Sequence, residues 1–317
     1  MAKIQGDLII LGVGGKMGPT LVRLARRALD AAGSKAKVIG VDLFTTSDVP
    51  QRIEQSGIET ISANLLEQDE LYALPDVENV IYMVGYKFGS TGNQSMTWAV
   101  NTLLPARVAE RYSKSRIVAM STGNVYPFVP VSEGGATEDT PVGPIGEYAQ
   151  SCLGRERMFQ YFSEKFNTPL LLFRLNYAID LRYGVLLDTA RKVYTNQPID
   201  LTMGYANVIW QGDANSAILR SLEWCKTPPA ILNVTGPEVI SVRAVAESFG
   251  ERLDRKPIFQ GQEAPTALLS NSSRYVSLAG PPSVSLERMI DWIAHWVSID
   301  GPTLDKPTHF EVRDGKF

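Results

Sequence analysis

The chain holds only two cysteines, Cys152 and Cys225, and two histidines, His295 and His309, among 317 residues. Two thiols are too few for a disulfide framework or a cysteine zinc site. Both histidines lie near the C-terminus, far in sequence from every glycine-rich or tyrosine-bearing stretch. This argues against a histidine triad or a histidine-rich metal site, and no metal is expected. Chemistry must then rest on Tyr, Ser or Thr, carboxylates, Lys or Arg, or a bound cofactor. An excess of charge of one sign is lacking too: 31 basic residues against 34 acidic ones leave a net charge of only -3. That balance offers no electrostatic reason to expect nucleic acid or an anionic membrane as partner. No apolar run approaches the roughly 18 residues a membrane span needs. The opening, MAKIQGDLIILGVGG, has no small-residue cleavage site and leads directly into a strand–turn–helix pattern, so a cytoplasmic location is expected. What is present is an ordinary globular composition, 44% apolar and 21% charged. The length suits one large domain or two that share a boundary.

Short apolar runs alternate with longer helical patterns through the first two thirds. DLIILGV, KVIGVDL, IETISANL, VENVIYMVG, SRIVAMS and TPLLLFRL read as strands, and PPAILNVTG as a later one. PTLVRLARRALDAAG reads as an amphipathic helix ending at Gly33, and MTWAVNTLLPARVAERYSK as a helix that Pro105 would kink. EYAQSCLGRERMFQYFSEKF and SVRAVAESFGERLDR complete the clear helices. Alternation of this kind predicts an α/β fold, a Rossmann-type doubly wound parallel sheet. Residues 1–175 form the expected nucleotide-binding domain, with 207–235 returning to it. Residues 176–206 and 236–317 are expected to form a smaller C-terminal substrate lobe and tail. FEVR in that tail alternates like an edge strand, although an ordered or frayed tail is the simpler reading.

Gly12, Gly15 and Gly18 make a G-x-x-G-x-x-G turn between the first strand and its helix. Glycine permits the tight turn and lets backbone approach a pyrophosphate at the helix N-terminus, with Lys16 and Met17 inside the same turn. Asp42 ends the second strand about 24 residues past Gly18, near the spacing at which an acid meets the ribose hydroxyls of a dinucleotide. A carboxylate there repels a 2′-phosphate and no arginine directly follows it, so NAD is expected rather than NADP.

The whole run from about residue 7 to about residue 295 resembles the extended short-chain dehydrogenase/reductases, the NAD-dependent epimerase/dehydratase family. VIYMVG (80–85) is similar to that family's fourth strand, where Val84 and Gly85 would border the nicotinamide. Asn101 in AVNTL matches an asparagine on its next helix. MSTGNVYP (120–127) is similar to its Ser-Ser-x-x-Val-Tyr-Gly segment, and ATEDTPVGPIGEYAQS (136–151) resembles its run ending in Tyr-x-x-Ser. LNVTGPEVISVRAVAESFGERLDR (232–255) looks like its late strand and helix. The resemblance implies Tyr148 as general acid/base and Thr122 as the hydroxyl that orients the same substrate oxygen. Asn64 and Leu65 in ANL would stand at the adenine side, Asn64 replacing an aspartate. Lys87, Asn176 and Tyr177 are the substrate-side candidates, and a homodimer through the helices bearing Asn101 and Tyr148 is implied.

One position breaks the pattern. A phenol ionises near 10, and the family lowers that value with a lysine one helical turn after the tyrosine. Here that position is Cys152. Three readings stand side by side: a small buried apolar residue, a site in which Lys87 or Arg155 supplies the cation instead, or a reactive thiol. Ala206, in ANVIWQGDAN, replaces an arginine that would bind a nucleotide-sugar diphosphate, so a smaller sugar or sugar-acid substrate becomes more plausible. The expected function is NAD-dependent epimerase, dehydratase or dehydrogenase chemistry on a hydroxylated, carbohydrate-like substrate. The alternative is a non-catalytic NAD-binding sensor or scaffold.

Overall fold

The segments Leu8–Leu11 (β1), Val38–Asp42 (β2) and Asn79–Tyr82 (β4) are buried along nearly their whole length. Strands covered on both faces need helices on both sides, and parallel pairing meets that need. In the computed structural model, which describes residues 1–45, 48–87, 89, 92–306 and 308–316, they sit at the centre of a seven-stranded parallel sheet. Glu59–Ser62 (β3), Arg116–Thr122 (β5), Leu170–Leu175 (β6) and Ala230–Val234 (β7) complete it, in the order β7-β6-β5-β4-β1-β2-β3. The expected doubly wound sheet is therefore present. Strand order reverses between β1 and β4, which run in register from Leu8 opposite Asn79 to Leu11 opposite Tyr82. Chains leaving their C-terminal ends diverge to opposite faces and open a crevice there.

The helices that shape this crevice are α1 (Gly18–Ala31), α2 (Leu104–Arg111) and α3 (Gly146–Phe166). α1 starts with Pro19, whose missing N–H costs nothing in a first turn. Ahead of α2, Gln94–Trp98 is α-helical and Ala99–Leu103 is a π turn. A simple kink was expected at Pro105. Its ring lacks the N–H that would bond the carbonyl of Asn101, and the chain absorbs that defect by widening one turn. β3 is shorter than IETISANL suggested and has no fully buried residue, as fits the edge of the sheet.

The later segments form α4 (Val185–Tyr194), α5 (Gln211–Ser221), α6 (Val242–Leu253) and α7 (Leu286–Ser298). α4, α6 and α7 share an apolar core with Val125, Tyr126 and Cys152. Short two-residue to three-residue strand pairs brace it, among them Tyr205–Ala206 against Ile240–Ser241. FEVR forms no strand. Side-chain anchors hold the tail instead: Phe310 is buried, and Arg313 lies 4.2 Å over the Phe128 ring while donating to Thr266.

Candidate active site

The glycine turn divides its labour among four residues. Gly12 has φ of +94°, and a Cβ there would lie 2.9 Å from the Val84 nitrogen. Gly18 packs so closely that a Cβ would lie 2.1 Å from the Val13 oxygen, so the first residue of α1 is pressed against the turn that precedes it. Gly15 faces outward, with the nearest atom to a Cβ 3.8 Å away, and so leaves backbone open to an approaching group. Gly14, which the motif alone did not single out, donates its N–H to Asp42 Oδ2 at 2.8 Å. The Asp42 carboxylate thus lies beside the turn, where ribose hydroxyls of a dinucleotide would reach it. An open cradle at a helix N-terminus with a carboxylate at its edge fits NAD. Leu65 is buried in the core, while Asn64 closes a local turn, its Oδ1 accepting from Leu66 N at 3.2 Å.

Asn101 sits in the π turn, wholly buried. Its Oδ1 accepts from Tyr86 N at 2.9 Å and Arg155 Nη2 at 2.8 Å. Its Nδ2 donates to Tyr86 O and to Ser151 Oγ, each at 3.0 Å. All four hydrogen-bonding capacities of the amide are used by protein. The residue therefore ties the loop after β4 to α3, behind the crevice rather than in it. Gly85 belongs to the same loop, and a Cβ on it would come within 3.1 Å of Arg155 Nη2.

A cavity of about 200 Å³ opens beside the glycine turn and brings together Lys16, Met17, Lys87, Thr122, Tyr148, Asn176 and Tyr177. Tyr183 and Thr308, which the sequence reading did not name, also line it. Thr122 ends β5, and its Oγ1 accepts from Asn124 N at 3.2 Å. Tyr148 lies in the first turn of α3, whose start is set by Gly146 at φ +83° against tail residue Gly315. Tyr177 holds a left-handed φ of +43° where the chain leaves β6.

Cys152 lies behind Tyr148 and is completely buried in the apolar core. The Tyr148 and Cys152 side chains are hydrogen-bonded to each other. Burial, then the neighbouring thiol, push the Tyr148 phenol well above its ordinary value, and the Arg155 guanidinium opposes them. Burial likewise raises Cys152 against the pull of Arg155, Tyr148 and Lys87, so the group is a thiol and not a ready nucleophile. Arg155, also buried, donates Nη1 to Met120 O at 2.9 Å. Burial brings Lys87 and Lys16 down to about 8 each. Lys87 donates to Thr308 O at 3.3 Å and lies 6.0 Å from the Tyr148 ring centre. Lys16 crosses the crevice to donate to Ala178 O at 2.5 Å, 4.6 Å over the Tyr183 ring.

A buried polar chain underpins this arrangement. Glu156 accepts from Ser121 Oγ at 2.5 Å and from Arg174 Nε and Nη2 at 2.9 and 2.7 Å. Arg174 Nη1 donates to the Tyr126 hydroxyl, which donates to Asn233 Oδ1. The one sequence signal for it was Arg174, an arginine inside the apolar strand TPLLLFRL. Among the described residues, no three His, Cys, Asp or Glu side chains gather as a metal ion would need, and no helix is long and apolar enough to cross a membrane.

A glycine-rich cradle at the switch point of a parallel sheet, with a tyrosine and a threonine lining one cavity beside it, defines a nucleotide-binding Rossmann-type fold. Residues 8–180 match the model of the NAD dependent epimerase/dehydratase family, and the chain belongs to that family. NAD is the cofactor of that family. Among solved structures, the chain is similar to UDP-glucuronic acid 4-epimerase from Bacillus cereus in complex with NAD, at 16% identity and a TM-score of 0.75, covering 92% of this chain and 99% of that one. It is similar to UDP-glucose 4-epimerase from Thermotoga maritima with UDP-glucose, at 14% identity and a TM-score of 0.74, covering 93% and 99%. It is also similar to dTDP-glucose 4,6-dehydratase from Bacillus anthracis in complex with NAD, at 15% identity and a TM-score of 0.75, covering 93% and 97%. At such identities the likeness is one of fold. No curated protein matches the sequence.

Proposed function

We propose that the protein is an NAD-dependent oxidoreductase of the epimerase/dehydratase type that acts on a hydroxylated, carbohydrate-like small molecule. The observation that carries this reading is the convergence of Tyr148 and Thr122 on one cavity beside the glycine cradle. Bound NAD would supply a reversible hydride acceptor, and Gly12, Gly15, Gly18 and Asp42 would hold it. Tyr148 would exchange a proton with a substrate oxygen, and Thr122 Oγ1 would hold that oxygen in place. Because Tyr148 rests as a neutral phenol, it is set to give a proton. Working as a base requires first losing one, so turnover in the oxidising direction should rise with pH.

The cation absent from position 152 has a substitute in Arg155, whose charge opposes the rise in the Tyr148 pKa. A lysine at position 152 would be a third buried cation beside Arg155 and Lys87, which accounts physically for the small neutral thiol there. Ala206 is buried in a strand pair and brings no charge to a diphosphate, which supports a substrate without a nucleotide. We further propose that the later segments form the substrate lobe. A homodimer through 94–111 and α3 is proposed as well, supported by exposed Met96, Trp98 and Leu103 on one and Tyr161 and Phe166 on the other.

The first test is to denature the purified protein and assay the released nucleotide. Near-stoichiometric NAD supports a redox-neutral cycle, weak exchangeable NAD supports a dehydrogenase, and failure to bind added NAD rejects the proposal. A non-catalytic NAD-binding role is the second reading, favoured by the complete burial of Cys152 where the family has its lysine. No bound NADH signal across a sugar and sugar-acid screen, with NAD stoichiometrically held, would select it. Light scattering of the intact protein tests the dimer.

A further inference from the structure

The lining of the cavity carries two ammonium groups, Lys16 and Lys87, and among the described residues no carboxylate. The two come from opposite walls. Lys16 leaves the glycine turn, and Lys87 leaves the loop after β4. The tail fixes the second one. Thr308 N and Oγ1 both donate to Asp188 Oδ2 on α4, at 2.9 and 2.6 Å, and the Thr308 carbonyl accepts from Lys87. Asp188 stands outside the lining; its charge favours the Lys87 ammonium, and burial opposes that charge.

We propose that the substrate is a hydroxy acid: its carboxylate is received by Lys87, held in place by Thr308, while Tyr148 and Thr122 address a hydroxyl on the same molecule. This rests on the oxidoreductase reading above and names the substrate class of that site. A cavity with only cationic charges in its lining favours an anion by Coulomb attraction strengthened by partial exclusion of water. One carboxylate suffices, since an ammonium group makes point contacts and the site offers no arginine fork for a diphosphate. Lys16 is closer to the cradle and serves the cofactor side, so the discrimination falls to Lys87. A carboxylate beside Lys87 would also hold its proton more firmly. Among the described residues, the charged and titratable groups around Lys87 include Cys152, Asp188, Tyr148 and Lys16.

The test is isothermal titration of the NAD-loaded full-length protein with D-glucuronate, D-gluconate and neutral D-glucose. The expected result is that at least one acid binds about tenfold or more tighter than glucose, the factor of one charge-assisted hydrogen bond. Lys87→Met should remove that preference while NAD stays bound, and Lys87→Arg should keep most of it. At pH 8.5, binding of the acid should take up protons, read from titrations in buffers of different ionisation heat. NAD retained with no preference for acid, with no probe bound, or with a preference that Lys87→Met leaves unchanged overturns the inference and leaves the oxidoreductase reading standing. Loss of NAD binding itself would instead strike the oxidoreductase reading.

Discussion

Replacing Glu156 by Gln tests the polar chain that holds the floor of the site. The carboxylate accepts three hydrogen bonds, one from Ser121 and two from Arg174, and the two charged side chains are 0% and 3% exposed. A glutamine keeps one acceptor oxygen but turns an NH₂ toward the guanidinium, leaving a buried cation uncompensated. Breaking such a pair costs about 3–5 kcal/mol, a large share of the roughly 5–15 kcal/mol that folded proteins possess. The double variant Glu156→Leu with Arg174→Met removes both charges. It orphans only the Ser121 hydroxyl, at about 1–3 kcal/mol, because the Tyr126 hydroxyl still donates to Asn233, and it recovers the desolvation of two ions. Urea unfolding followed by tryptophan fluorescence should therefore rank the single Gln variant below the double variant. If the Gln variant unfolds within about 1 kcal/mol of the parent, or the double variant proves the weaker, the chain is not the support described here. Ser121 precedes Thr122 on β5, so the Gln variant should also retain less NAD.

The glycine turn predicts a split. Gly15→Ala should leave Tm nearly unchanged but weaken NAD binding about tenfold or more, whereas Gly18→Ala should destabilise the fold by about 2 kcal/mol or more because its Cβ meets Val13 O. Cys152→Lys should lower stability by about 3 kcal/mol, since it buries a third cation beside Arg155 and Lys87. A gain of turnover without that loss would show that room and charge compensation exist. Lys16 titrates near 8 when folded and at roughly 10.4 when unfolded. Between those values the unfolded chain binds more protons, so stability rises with pH across the window and the penalty is full below pH 8. Lys16→Met should accordingly stabilise the cofactor-free protein at pH 7 by about 1–2 kcal/mol, an advantage that fades toward pH 10, as thermal melts across that range will reveal.

The strand–helix alternation, the glycine spacing with Asp42 and the frame around Tyr148 were all legible in the sequence. Each depends on local periodicity or a short spacing, and local sequence specifies such features directly. The π turn was half visible, because Pro105 announces a defect but not how the chain repairs it. What stands around Cys152 was not legible. The sequence offered Lys87 and Arg155 as equal candidates, and only packing put Arg155 behind Tyr148 and turned Lys87 into the cavity beside Lys16. Thr308, some 220 residues from Lys87 in the chain, had no signal at all, because a backbone carbonyl has the same chemistry in every residue. Asn101 carried a motif position, yet the bonds that occupy its amide come from two other segments, the loop after β4 and α3. Residues that act through their own backbone neighbourhood can be read along the chain. Residues whose charge is set by burial and by distant partners acquire their meaning only when the tertiary fold removes water and brings those partners within a few ångströms.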